Sequence, residues 1–185
     1  MKRLEDMTLE ELWQLFPIIL TEPNHDWSDW AAQEMSYLKT ILGDLISDIN
    51  HIGSTSIKGI WAKPIIDILM ETDDVSEFAL IKSKIVFAGY ICMNETSLRI
   101  DFNKGYTPKG FSDKVYHLHL RVSGDNGEIY FRDYLNAHSD IAKEYEKLKL
   151  SIWKSFEYDR DGYTSAKSDF VNHYTSLALS QSKSK

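Results

Sequence analysis

The segment HIGSTSIKGIWAKPIIDIL, His51 to Leu69, constrains the fold more than any other stretch of this chain. It reads as a strand, a Gly-Ser turn, a loop and a second strand. In that second strand the apolar run Ile65, Ile66, Ile68, Leu69 is interrupted by one acid, Asp67. Gly53 lets the backbone turn tightly and approach a ligand closely. Ser54 and Thr55 follow at the predicted start of a helix, where free N–H groups favour phosphate. A single carboxylate on a buried strand, thirteen residues after a phosphate-type turn, is the pattern of an acid carried into a site.

The rest of the chain supplies helices and further strands. Thr8 and Glu11 predict a capping box that opens a short helix limited by Pro17. Trp27, Trp30, Ala31, Met35, Leu38, Ile41 and Leu42 recur at helical spacing, and Gly43 ends that helix. Asp74 and Glu77 predict a helix start, with Gly89 as its stop. Strands are expected near Tyr90–Met93, Leu98–Asn103 and Val115–Val122, with a mobile loop over Thr107–Asp113 between the last two. A long helix begins near Ile129 and breaks at Ser139, and a last helix starts near Thr164. Helices alternating with strands too closely spaced for crossovers predict an α/β domain with a mixed β-sheet flanked by helices. One domain is expected over residues 1–179, followed by a polar tail at 180–185.

Side chains alternate across a strand, so each predicted strand divides into two faces. Tyr116, Leu118, Leu120 and Val122 form one face of the last strand, and His117, His119 and Arg121 the other. In the strand before it, Leu98, Ile100 and Phe102 oppose Arg99, Asp101 and Asn103. Asp67 shares its face with Leu69 and Glu71. Three strands with one polar face each predict a cleft beside the Gly-Ser turn, lidded by the Thr107–Asp113 loop. His117 and His119 suit a metal pair, or neutral imidazoles that stack or donate. Arg99 and Arg121 suit bidentate phosphate recognition, and Lys104 adds a cation near the loop. Lys63 either reaches phosphate or snorkels at the strand's start. His51 is expected to be packed and hydrogen-bonded.

A net charge of −7 argues against non-specific nucleic-acid binding, yet permits a small anion held by a few local cations. One cysteine, Cys92, excludes an internal disulfide framework and suits the cytoplasm. No apolar run approaches the roughly 18 residues of a membrane span, and the N-terminus lacks the apolar core of a signal peptide. Trp13 and Phe16, expected to be exposed, would permit a homodimer as well as a monomer.

Five blocks together resemble the GrpB family. They are the opening segment, FNKGYTPKGF (Phe102–Phe111), HLHLR (His117–Arg121), FRDYLNAHSDIAKEYEKLKLSIW (Phe131–Trp153) and DGYTSAKSDFV (Asp161–Val171). They cover nearly the whole chain, in the family's order. The resemblance implies a nucleotidyltransferase-like fold, in which a Gly-Ser turn holds phosphates and carboxylates hold Mg²⁺ or Mn²⁺. It places Gly53, Ser54, Thr55, Lys63, Arg99, Lys104 and Arg121 on the phosphate side. Asp67, Glu71 and Asp101 are left for the metal, and Asp67, His117 and His119 for catalysis. Active members of that fold carry a second acid two residues after the first, where this chain has Leu69. Three functions stay open: a nucleotidyl transferase, a silent nucleotide- or metabolite-binding module, and a metal-dependent hydrolase built on His117, His119 and Asp67.

Overall fold

The computed structural model describes residues 2–183. Helix α1 (Leu9–Leu15) opens on the Thr8–Glu11 capping box, both of its hydrogen bonds being present. Helix α2 (Asp26–Leu42) ends at Gly43, whose φ of 56° closes the helix. Strand β1 (Asp48–Ile52) runs into the Gly53 turn, and β2 (Ile66–Thr72) returns antiparallel to it. Helix α3 (Phe78–Phe87) then leads to β3 (Ile91–Glu95), β4 (Arg99–Thr107) and β5 (Gly110–Val122).

These five strands form one mixed sheet in the order β1-β2-β5-β4-β3, with β2 and β5 parallel and the other pairs antiparallel. The β2–β5 pair is the crossover that α3, β3 and β4 make possible. Residues of even parity on the central strands (Ile66, Ile68, Met70, Ile100, Phe102, Leu118, Leu120) meet Trp27, Ala31, Leu38 and Leu42 of α2 and Ile81 and Ile85 of α3 in the main core. Burying that face leaves the odd-parity residues on the opposite side.

That opposite side faces the C-terminal helices: α4 (Gly127–Ala137), α5 (Ser139–Ile152), α6 (Arg160–Ala166) and α7 (Ser168–Ser182). They gather around a second core of Ile57, Ile60, Phe131, Leu135, Ala142 and Tyr145. The expected single last helix is two, divided at Lys167. Of the expected polar tail, residues 180–182 continue α7, and residues 184–185 lie outside the described residues. Among the described residues no helix is long and apolar enough to cross a membrane.

The expected mobile loop at Thr107–Asp113 is instead a tight hairpin. Thr107 pairs with Gly110, its hydroxyl donates to the Gly110 carbonyl at 2.8 Å, and β5 begins there. No segment is left at that place to act as a lid. Phe16 packs at 4.7 Å from the Tyr106 ring and 5.0 Å from Phe111, so it is not a free surface aromatic.

Candidate functional site

The site begins at Gly53, whose φ of 70° is rarely open to other residues. A Cβ built there would lie 2.9 Å from the Asp67 Cβ and overlap the carboxylate. The glycine therefore permits both the turn and the close approach of Asp67. The turn is fixed from inside. The Ser56 hydroxyl donates to the Gly53 carbonyl at 2.6 Å. Buried Thr55 donates to the Ile65 carbonyl at 3.1 Å and lies 2.9 Å from His51 Nε2. Its hydroxyl is thus committed to the fold rather than to a phosphate, and His51 is the packed histidine expected. Burial pushes His51 down to about 4.

Strand register explains the next layer. On β5, His117 lies opposite Asp67 of β2, and His119 opposite Asp101 of β4. His117 Nδ1 is 3.1 Å from Asp67 Oδ1, and its Nε2 is 2.7 Å from the Tyr106 hydroxyl. Burial lowers the His117 imidazole to about 4, against the pull of Asp67. A neutral ring that donates from Nδ1 and accepts from Tyr106 satisfies both contacts. Burial raises the Tyr106 phenol to about 12, so it keeps its proton. His119 differs. Burial opposes its charge, but hydrogen bonds to Asp101 (2.8 Å) and Asp67 outweigh burial and lift it to about 9. Burial works against both carboxylates too, yet hydrogen bonds with His117 and then His119 hold Asp67 well below the usual range, as His119 and Arg121 do Asp101.

The alternation continues outward. Arg121, buried at 6 % exposure, donates to Asp101 at 2.9 Å and to the Leu120 carbonyl at 3.1 Å. Arg99 grips Asp125 with both its Nε and Nη2 at 2.8 Å. Glu71, 4 % exposed, accepts from the Gly124 N–H at 2.7 Å and from Asn126, fastening the turn before α4.

Several sequence-based assignments change accordingly. Arg121 lies beneath the cleft as a carboxylate partner and is no phosphate ligand. Lys104 lies on the other side of the sheet, bonded to Glu34 at 2.8 Å and over the Tyr90 ring at 5.0 Å. Strand parity places it there, on the face of Ile100 and Phe102, and the bulge at Gly105 that follows shifts the register and turns Tyr106 toward His117. Neither histidine is placed as a general base, since His117 has no free nitrogen and His119 is already a cation.

The carboxylates do not fit a two-Mg²⁺ site. Asp67 is tied through Oδ1 to the two imidazoles, Asp101 through Oδ1 to His119 and Arg121, and Glu71 through both oxygens to the turn before α4. Such a site needs several free oxygen ligands at about 2.0–2.1 Å. Among the described residues no group of three His, Cys, Asp or Glu side chains is disposed to hold a metal. The H-x-H hydrolase loses its support with them.

Between this face and the helices lies a cleft of about 590 Å³, a typical size for a small-molecule site. Gly53, Ser54, Thr55, Lys63, Asp67, Arg99, His117 and His119 border it on the sheet side. The opposite wall carries Lys149, Arg160 and Lys167, none of which sequence reasoning singled out. A signal existed for Lys149: it stands at helical spacing on the buried stripe of Ala142 and Tyr145, where a lysine has no packing reason to be. Burial brings Lys63 and Lys149 down to about 7, and each is lowered further by Lys167.

Comparison with known proteins agrees with this architecture. The family model for GrpB protein matches residues 17–176. The glutamate-rich protein GrpB of Alkalihalophilus pseudofirmus is 36% identical over 164 residues, spanning 84% of this chain and 92% of that protein. The crystal structure of conserved protein GrpB from Enterococcus faecalis superposes with a TM-score of 0.77 at 28% identity, covering 88% of this chain and 98% of that one. The structure of Cid1 in complex with its short product ApU gives a TM-score of 0.50 at 9% identity, covering 77% of this chain and 43% of that one. At that identity the likeness concerns the fold alone, the mixed sheet flanked by helices of the nucleotidyltransferase class.

Proposed function

This chain belongs to the GrpB family, and from that premise and the cleft's geometry we propose that it binds a small phosphate-bearing molecule, a nucleotide foremost. One observation carries this: the Gly53–Ser54 turn and the side chains of Lys63, Lys149, Arg160 and Lys167 border a single cleft. Among the described residues none of these four cations has a carboxylate within ion-pair distance. Lys63 and Lys149, whose charge burial already opposes, are costly to keep charged with no ion-paired carboxylate unless an anion joins them.

Binding without nucleotidyl transfer is favoured over turnover by the carboxylates, which are partnered within the protein. Ser54 would meet a phosphate at the mouth of the turn, Lys63 and the helical wall would neutralise it, and Phe131 and Val171 would supply apolar contact for a base. Such a ligand suits a cytoplasmic protein with one cysteine.

The test is a thermal-shift screen of nucleotides, coenzyme-A precursors and sugar phosphates, each in chelator and with Mg²⁺ or Mn²⁺. A ligand at a hundred times its Kd adds about 2.7 kcal/mol, or roughly 5–10 °C for a domain of this size. Hits are then incubated and analysed chromatographically for consumed nucleotide. Phosphate binding is wrong if no member of the screen raises the melting temperature. Consumption of a hit would restore the transferase.

A further inference from the structure

The four cations line one cleft and lie near enough to act on one another's charge. The Lys63 Nζ lies 5.5 Å from the centre of the Tyr163 ring, and the Lys167 Nζ lies 4.9 Å from the same ring. Tyr163, 1 % exposed at the centre of α6, is thus a platform for two ammonium groups. Arg160 stands one turn earlier on α6. Lys149 reaches the cleft from α5, 4.8 Å from the Tyr145 ring, and one of its N–H groups donates to the Trp61 carbonyl. No carboxylate lies within 4.0 Å of any of the four among the described residues. Asp67 is the acid that faces Lys63, and Glu146 the one that faces Lys149.

We propose that Lys63, Lys149, Arg160 and Lys167 form one subsite for a polyphosphate group, which it holds without a divalent cation. This rests on the phosphate-binding assignment above and narrows it to ligands with two or more linked phosphates. The carboxylates that would share a metal with such a ligand are engaged elsewhere. The charge that Mg²⁺ supplies in related folds is here supplied by side chains converging from a loop, from α5 and α6, and from the α6–α7 junction. Point charges on flexible stems suit a chain of phosphate oxygens, which presents many acceptors and no fixed plane.

The subsite has a consequence that a structural lysine cluster lacks. Lys63 sits near neutrality because it is buried beside Lys167 and Arg160, with Asp67 only partly offsetting them. Lys149 does so because it is buried beside Lys167 and Lys63, with Glu146 opposing. A polyanion favours the ammonium form of both, so binding above pH 7 draws protons from solution.

The experiment is titration calorimetry with inorganic tripolyphosphate, pyrophosphate and orthophosphate, in chelator and then with Mg²⁺. It is run at pH 6.5 and pH 8.5, in buffers of different ionisation heat. Tripolyphosphate should bind at least about tenfold more tightly than orthophosphate in chelator. At pH 8.5 it should bind more weakly, with net proton uptake, and Mg²⁺, which masks the ligand's charge, should not strengthen it. Arg160→Gln, at an exposed position, and Lys63→Met should each weaken tripolyphosphate by about tenfold or more without lowering the melting temperature. Binding only with Mg²⁺, absence of proton uptake, or parental affinity in both variants would overturn the subsite. Should nucleotides still register in the thermal screen, phosphate binding itself survives that failure. Should nothing phosphate-bearing bind under any condition, both fall together.

Discussion

The sheet face and the helical wall of the cleft are both rich in charge, but they dispose of it differently. On the sheet, charges alternate in contact: Asp67, His119, Asp101 and Arg121 form a chain in which each ion touches an opposite one. Around the rest of the cleft, Lys63 from its loop and Lys149, Arg160 and Lys167 from the helical wall meet aromatic rings, a carbonyl and one another. A paired network, which here leaves only the buried Arg121 Nε without a hydrogen bond among the described residues, is part of the fold, and its removal should be felt as stability. An unsatisfied one is held in place by the rest of the fold, and its removal should be felt as binding. The face that looks catalytic in the sequence is therefore tied into the scaffold, and under the proposed function the helical wall would carry the affinity.

The largest effect expected is that of Gly53→Val. A valine at φ 70° is strained, and its branches would drive Asp67 off His117. Together these should cost roughly 3–5 kcal/mol and abolish ligand binding. Urea melts of the variant check it; parental stability would mean the turn tolerates a side chain and Asp67 is not pressed against it.

Next comes Asp101→Asn, which breaks the chain of charges at its middle. It leaves the buried Arg121 and the charged His119 short of one partner each. A loss of about 2–3 kcal/mol is expected, Asp101 being partly exposed. Nucleotide affinity measured on the folded fraction should change far less. The opposite pattern, full stability with lost binding, would make Asp101 a ligand residue and dissolve the contrast between the two walls.

His119 then sharpens the comparison through pH. Its folded value of about 9 lies above the ordinary 6.5, so its contribution is complete below pH 6.5 and disappears as pH rises through 9. The two lysines act oppositely: lowered from 10.5 to about 7, they make stability rise with pH between those values. The stability difference between the parent and His119→Gln isolates the first effect. It should be about 1–2 kcal/mol at pH 6 and close to nil at pH 10. In parallel, NMR should show one imidazole titrating near 9, while His51 and His117 stay neutral down to about 4. A constant parent–variant difference across that range would mean His119 carries no charge in the fold.

Much of this was legible in the residues themselves. Strand parity located Asp67, Asp101, His117 and His119 on one side because alternation on a regular strand depends only on the backbone. Apolar spacing located α2 for a similar reason. Lys104 shares the parity of Ile100 and Phe102 and so faces α2, whereas Tyr106 joins His117 because a bulge at Gly105 shifts the register, and a bulge depends on the partner strand. The Thr107–Asp113 stretch has loop composition yet folds as a hairpin, since Thr107 and Gly110 satisfy each other's backbone and leave two residues for the turn. The basic wall was harder to read. Lys149 comes from α5, Arg160 from α6 and Lys167 from the α6–α7 junction, and only tertiary packing brings them opposite Lys63. Partnering was equally hidden: that Glu71 would fasten Gly124 rather than face a metal is settled by a contact 53 residues away.

The smallest effect belongs to Arg99, which tests the margin between the two walls. Sequence reasoning placed it among the phosphate ligands, and it does border the cleft. Its guanidinium, however, is joined at both ends to Asp125, and its side chain is 52% exposed. An exposed ion pair of this sort contributes about 0.2–1 kcal/mol, less in high salt. Arg99→Ala should therefore lower stability by no more than that, and the loss should shrink as ionic strength rises. Because Asp125 already neutralises Arg99, removing it also frees a carboxylate at the cleft's edge. Ligand affinity should fall by about threefold or less, through repulsion of the anion by Asp125, and the double variant Arg99→Ala/Asp125→Ala should recover it. A large loss that the double variant does not recover would make Arg99 a direct phosphate ligand that leaves Asp125 on binding. The sheet side would then share in recognition, and the division between scaffold and binding wall would have to be redrawn at β4.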